Sequence, residues 1–215
     1  MQDYILEICA DSAESAIAAE KGGATRLELC QNLIIGGTTP GPKLFEIVRH
    51  AVEIPVHVLI RPRFGDFCYS DYEMEQIKEE IKMFRELGAD GVVIGVLSPD
   101  GSIDRERMER LLEERGGMSV TLHRAFDVCR DPLKSLQTAK DLGIQTILTS
   151  GQKDSCMEGA DLLRELQKES QGGIQIQAGG GVTPENLETL FCQTAIRAWH
   201  MSAKTGIERR MKYRN

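Results

Sequence analysis

Apolar runs of strand length recur along the chain at Tyr4–Ala10, Arg26–Cys30, Pro55–Arg61, Gly91–Leu97, Ser119–Phe126, Thr146–Ser150, Ile174–Ala178 and Ala198–Ser202. Each reads as a buried parallel strand, because side chains alternate with period two and both faces are covered. Between them the apolar spacing becomes helical, as in Tyr72–Leu87, where Met74, Ile77, Ile81 and Phe84 fall on one face, and in Met157–Leu166. The ends of these helices are marked locally. Gly22-Gly23, Gly88, Gly116-Gly117 and Gly143 stand where helices stop, Ser70 and Glu73 form a capping-box pair, and Asp131-Pro132 and Thr183-Pro184 set a cap before a first-turn proline. About eight strand–helix units with no linker between them predict one domain over residues 1–215, a TIM-type (β/α)8 barrel. An open doubly wound sheet is the alternative, but Ala178-Gly179-Gly180-Gly181 lacks the G-x-G-x-x-G spacing of a dinucleotide loop.

In such barrels the chemistry gathers at the carboxyl ends of the strands. The first two strands repeat one pattern, Leu6-Glu7-Ile8-Cys9 and Leu27-Glu28-Leu29-Cys30, with Glu and Cys on the same face. Two glutamates on neighbouring strands, about 5 Å apart, repel each other when both are ionised, and Arg61 on the third strand is the expected neutraliser. His123 ends the fifth strand and His200 lies within the eighth. Glu7, Glu28, Arg61, His123 and His200 are therefore the candidate acid–base residues, and Arg63, Asp66, Arg124, Asp127, Ser150 and Ser202 the candidate binding residues around them. Gly179, Gly180 and Gly181, followed by Thr183-Pro184-Glu185-Asn186, make a strand, a glycine turn and a helix start, whose backbone N–H groups suit an anion.

Composition narrows the functional classes. With 26 Lys and Arg against 33 Asp and Glu, the net charge is −7, which repels a nucleic-acid backbone. No apolar run reaches the roughly 20 residues of a membrane span. The first residues show no export signal, so a cytoplasmic location is expected, and six cysteines without a C-x-x-C pair predict free thiols rather than disulfides.

Leu-Glu-Ile-Cys, Leu-Glu-Leu-Cys, Ile60-Arg61-Pro62-Arg63, Gly65-Asp66-Phe67-Cys68-Tyr69-Ser70, Gly95-Val96-Leu97, His123-Arg124-Ala125-Phe126-Asp127, Leu148-Thr149-Ser150-Gly151 and the triple glycine occur in this order. In them the chain resembles the CutC copper-homeostasis family from Leu6 to about Ser202. The resemblance implies a TIM barrel in the cytosol that assembles as a homo-oligomer, a dimer or tetramer. It also implies a copper role, which carries over to Cys9 and Cys30 as two thiolates clamping one Cu(I). No organic cofactor is implied. The alternative is an enzyme acting by acid–base chemistry on a small anionic, sugar-like or phosphorylated ligand at the same face of the barrel. The chain departs from the family pattern in Trp199-His200-Met201-Ser202-Ala203, where Phe-His-Ala-Ser is usual, and in its short tail. At 215 residues against the ~250 typical of the barrel, it is expected to have a shortened or absent last helix, leaving the groove between the first and seventh helices bare or covered by a neighbouring subunit.

Overall fold

The computed structural model describes residues 4–204 and Tyr213. Strands and helices alternate as β1 (Ile5–Ala10), α1 (Ala13–Lys21), β2 (Arg26–Leu29), α2 (Pro42–Ala51), β3 (Val56–Leu59), α3 (Asp71–Glu86), β4 (Gly91–Ile94) and α4 (Arg105–Glu113). They continue as β5 (Ser119–Leu122), α5 (Pro132–Asp141), β6 (Thr146–Thr149), α6 (Ala160–Ser170), β7 (Gln175–Ala178), α7 (Pro184–Thr194) and β8 (Ala198–Met201). Every strand pairs in parallel with the next, and β1 pairs with β8, so the sheet closes as the sequence predicts.

The two faces of this sheet do different work. Outward residues such as Ile8, Leu27, Val58, Val92 and Ile147 pack with Phe45, Ile77, Phe84 and Leu163 of the helices in one continuous shell of apolar side chains. Burying a side chain of this size contributes about 1.5–3 kcal/mol, so the shell is the main source of stability. Inward residues are mostly polar and yet buried: Glu7, Arg26, Glu28, His57, Thr121, His123 and Gln177. A second, small apolar cluster joins Cys9, Cys30, Leu59 and Val93 inside the barrel.

Helix starts follow the sequence. The Ser70 N–H donates to Glu73 Oε2 at 2.7 Å and Ser70 Oγ accepts from the Glu73 N–H at 3.3 Å, closing the capping box of α3. Asp131 Oδ1 accepts from the Lys134 N–H, and the Thr183 N–H donates to Asn186 Oδ1. After α3, Gly88 turns the chain at φ 86°, where a side chain would be strained.

Several boundaries differ from expectation for identifiable reasons. The fifth strand ends at Leu122 rather than Phe126, because His123 Nδ1 accepts from the Ala125 N–H at 3.2 Å and draws Arg124–Val128 into a 3-10 turn. Helix α6 begins at Ala160, not Met157, because the preceding loop folds against the end of β6. A Cβ on Gly159 would stand 1.9 Å from the Ser150 carbonyl oxygen. Seven α-helices are present among the described residues, and the place of the last helix lies outside them. A groove of about 670 Å³ runs along α1, lined by Leu6, Ile8, Ala18 and Ala24. No helix is long and apolar enough to cross a membrane among the described residues.

Candidate functional site

At the carboxyl end of the barrel a cavity of about 440 Å³ opens over a polar floor. Glu7 is the hub beneath it. Its Oε2 lies 2.5 Å from Arg26 Nε, and its Oε1 accepts from Gln177 Nε2 at 2.9 Å and meets His200 Nδ1 at 2.7 Å. Strand register explains the convergence, since Glu7 is level with Arg26 on one side and with His200 on the other. Arg26 Nη2 also donates to Gln177 Oε1 at 3.0 Å, which closes a ring of bonds around the carboxylate. Burial opposes the charge on Glu7, but Arg26 and His200 outweigh it and hold the carboxyl far below its usual range.

Glu28 stands one step higher, level with Cys9 on β1. Burial raises its carboxyl to about 7, with repulsion from Glu7 adding to the rise and His200 and Arg26 opposing it. Burial works against a charged His200, yet Glu28, Cys9 and Glu7 together hold its imidazole well above the ordinary value. Glu7, Glu28 and His200 bring one ligand atom each within 4.8 Å of one another, close enough to share a metal ion. The Arg26 guanidinium against Glu7 already neutralises that corner and competes with any second cation there. The softer donors are Cys9 and Cys30. The Cys30 thiol is fully buried, donates weakly to the Ala10 carbonyl at 3.6 Å, and is pushed well above the usual thiol range by burial and by Glu28, Cys9 and Asp11.

Of the residues singled out in the sequence, Cys9, Glu28, Cys30, Arg61, His123, Arg124, Gly180, Gly181, His200 and Ser202 line the cavity. Glu7 supports it from below. Arg61 does not neutralise the glutamates as expected. It sits past the end of β3, where Nη1 donates to the Gly36 and Gly37 carbonyls and Nη2 to the Gly65 carbonyl, clamping two loops. Arg63 and Asp66 bond to each other, and Arg63 also to Glu73, outside the cavity lining. Asp127 and Ser150 likewise lie behind the wall. The Asp127 carboxylate accepts from Arg124 Nε, from Thr149 Oγ1 and from the Ser150 N–H and hydroxyl, and so fixes the β6 loop. Arg124 Nη2 donates to Ser150 Oγ, which orients this arginine at the rim beside Gly180. The Gly179 N–H is taken by the Thr149 carbonyl.

Arg26, Gln177, His57 and Phe67 were not among the expected site residues. The signal for the first three was parity: Arg26 lies two positions before Glu28, His57 two before Leu59, and Gln177 two after Gln175, each on the inward face. Phe67 carries no such signal, being placed by a loop. Its ring lies 5.2 Å from the Arg61 guanidinium carbon and 4.8 Å from the His123 ring.

Comparison with known proteins agrees with this architecture. The family model described as "CutC family" matches residues 4–205. A mouse (Mus musculus) copper homeostasis protein cutC homolog is 43% identical over 99% of this chain and 78% of its own length. A CutC family protein of Bacteroides fragilis is 45% identical over 100% of this chain and 86% of its own. The solved CutC structure from Streptococcus agalactiae superposes with a TM-score of 0.88 at 33% identity, covering 93% of this chain and 98% of that one.

Proposed function

The chain belongs to the CutC family, and from that membership we propose that it serves copper homeostasis by capturing Cu(I) between the thiolates of Cys9 and Cys30. The observation that carries this reading is the thiol pair itself. Cys9 lies in β1 and Cys30 directly follows the neighbouring β2; the two pack with Leu59 and Val93 in one apolar cluster and border the same cavity. Cu(I) is a soft ion that accepts two sulfur ligands, and a cradle of this kind offers sulfur while excluding harder competitors. The relatives named for copper homeostasis support the same role.

Capture must displace protons, because the thiolate and not the thiol is the ligand. Burial and the charges of Glu28, Cys9 and Asp11 hold the Cys30 proton tightly. Cu(I) affinity therefore rises with pH across the neutral range, by about tenfold per pH unit for each thiol proton released. The test is an anaerobic Cu(I) titration against a competing chelator. The Cys9→Ser, Cys30→Ser double variant is expected to bind at least about a hundredfold more weakly than the wild type, and equal affinity in the two would overturn the proposal. The reading extends to a cytosolic homo-oligomer, dimer or tetramer, which light scattering at micromolar concentration checks.

A further inference from the structure

Arg61 is a buried cation without a counter-charge. It is 9% exposed, and among the described residues no carboxylate lies within ion-pair distance of it. Its Nη1 and Nη2 donate to backbone carbonyls, and the Phe67 ring covers one face. Those bonds use three of its five N–H groups, and Nε has no acceptor among the described residues. A buried guanidinium is ordinarily paired, since an uncompensated charge is expensive in a poorly solvated site.

His123 presents a second donor of the same kind. Its Nδ1 accepts from the Ala125 N–H, so in the neutral ring the proton sits on Nε2. Burial, reinforced by the Arg61 charge, lowers its value to about 3 and keeps the ring neutral at physiological pH. That Nε2–H is buried and finds no acceptor among the described residues, and His123 is one of the residues that line the cavity. The Phe67 ring packs near both residues, giving the two donors a shared apolar wall. Glu28, which also lines the cavity, adds a buried acceptor atom without a partner, Oε2. Gly180 and Gly181, both at positive φ, bring bare backbone to the rim, where Arg124 and Lys204 add positive charge.

We propose that this cavity binds a small hydroxylated organic oxyanion, whose carboxylate or phosphate oxygens accept from Arg61 Nε–H and His123 Nε2–H while a hydroxyl of the same molecule donates to Glu28 Oε2. The pattern is two donors and one acceptor around an apolar wall, under a positively charged mouth. It matches a hydroxy acid or a sugar phosphate better than a bare inorganic ion, and a cavity of about 440 Å³ has room for either. These groups are distinct from the two thiols of the copper reading, although Cys9 and Cys30 border the same cavity.

Calorimetric titration of the metal-free protein with acetate, glycolate, inorganic phosphate and glycerol phosphate tests it. Saturable binding is expected, with glycolate tighter than acetate, or glycerol phosphate tighter than phosphate, by about fivefold or more through the Glu28 bond. The arm that binds identifies the anionic group. His123→Asn keeps an acceptor for the Ala125 N–H but removes the Nε2 donor, and should weaken every bound anion about tenfold or more while still melting cooperatively. No saturable binding of any of the four by the wild type would overturn the proposal without recourse to a variant. So would unchanged affinity in a folded His123→Asn protein.

Discussion

Arg26 and Glu7 show what a single misplaced charge would cost this barrel. The pair is almost fully enclosed, and Gln177 and His200 take up the remaining acceptor positions of the carboxylate. Removing one partner of such a pair leaves the other desolvated and unmatched. Arg26→Met should therefore destabilise the protein by about 3–5 kcal/mol in urea denaturation, far more than loss of an exposed pair such as Lys43–Glu46, worth roughly 0–1 kcal/mol. The identity of Glu7's partner was not legible in the sequence, although both arginines were visible. Arg26 and Arg61 share inward parity on adjacent strands, and what separates them is height along the barrel axis. Register sets that height, and no pattern of residue types encodes it.

At the scale of elements, β4 makes the polar interior possible by being small. Its inward positions run Gly91, Val93 and, just past its end, Gly95. A Cβ on Gly91 would stand 2.6 Å from the His57 ring, and one on Gly95 would stand 2.6 Å from His123 Cε1. The two glycines give imidazoles from the flanking strands a place to lie. Gly95→Ala should push the His123 ring out of position at a cost of about 1–3 kcal/mol, read by denaturation, and should loosen anion binding with it. Most elements were legible because an apolar run or a cap announces them, and the eight strands appear where the hydrophobic pattern sets them. The end of β5 was not, because it is decided by which way an imidazole turns. The glycines of β4 look in sequence like strand punctuation, and only the neighbouring rings reveal them as space.

The molecule as a whole carries its titration inside. Burial, aided by Arg26 and Arg61 respectively, holds His57 at about 4 and His123 at about 3, against 6.5 in the unfolded chain. Unfolding then takes up protons below about 6.5, so both residues withdraw stability as pH falls from there towards 4. Glu28 acts oppositely, being protonated up to about 7 against an unfolded value of 4.5, so its contribution is lost as pH rises between these. The contribution of His200, whose value is raised above 6.5, is lost as pH climbs further. Two imidazoles outweigh one carboxyl on the acid side, and above 7 His200 is joined towards pH 9 by the Cys30 thiol, whose raised value likewise withdraws stability as pH rises. Scanning calorimetry from pH 4.5 to 9 should give a melting maximum between about pH 6 and 7, and a monotonic curve would contradict this assignment.

The bonds around Glu7 also set an order of events in time. Its partners lie 19, 170 and 193 residues away along the chain. The first can form as soon as two neighbouring strands meet, whereas the others require the two ends of the polypeptide to come together. Pairing over such separations is slow, because loop-closure entropy must be spent before the contact repays it. Until the last strand docks, the carboxylate at the centre is only partly compensated, and a partly closed sheet is held back by its own interior. Closure of the ring and completion of the polar cluster are thus one cooperative step. Weakening the cluster by His200→Gln should leave the refolding arm of a chevron nearly unchanged and steepen loss of the native state through faster unfolding.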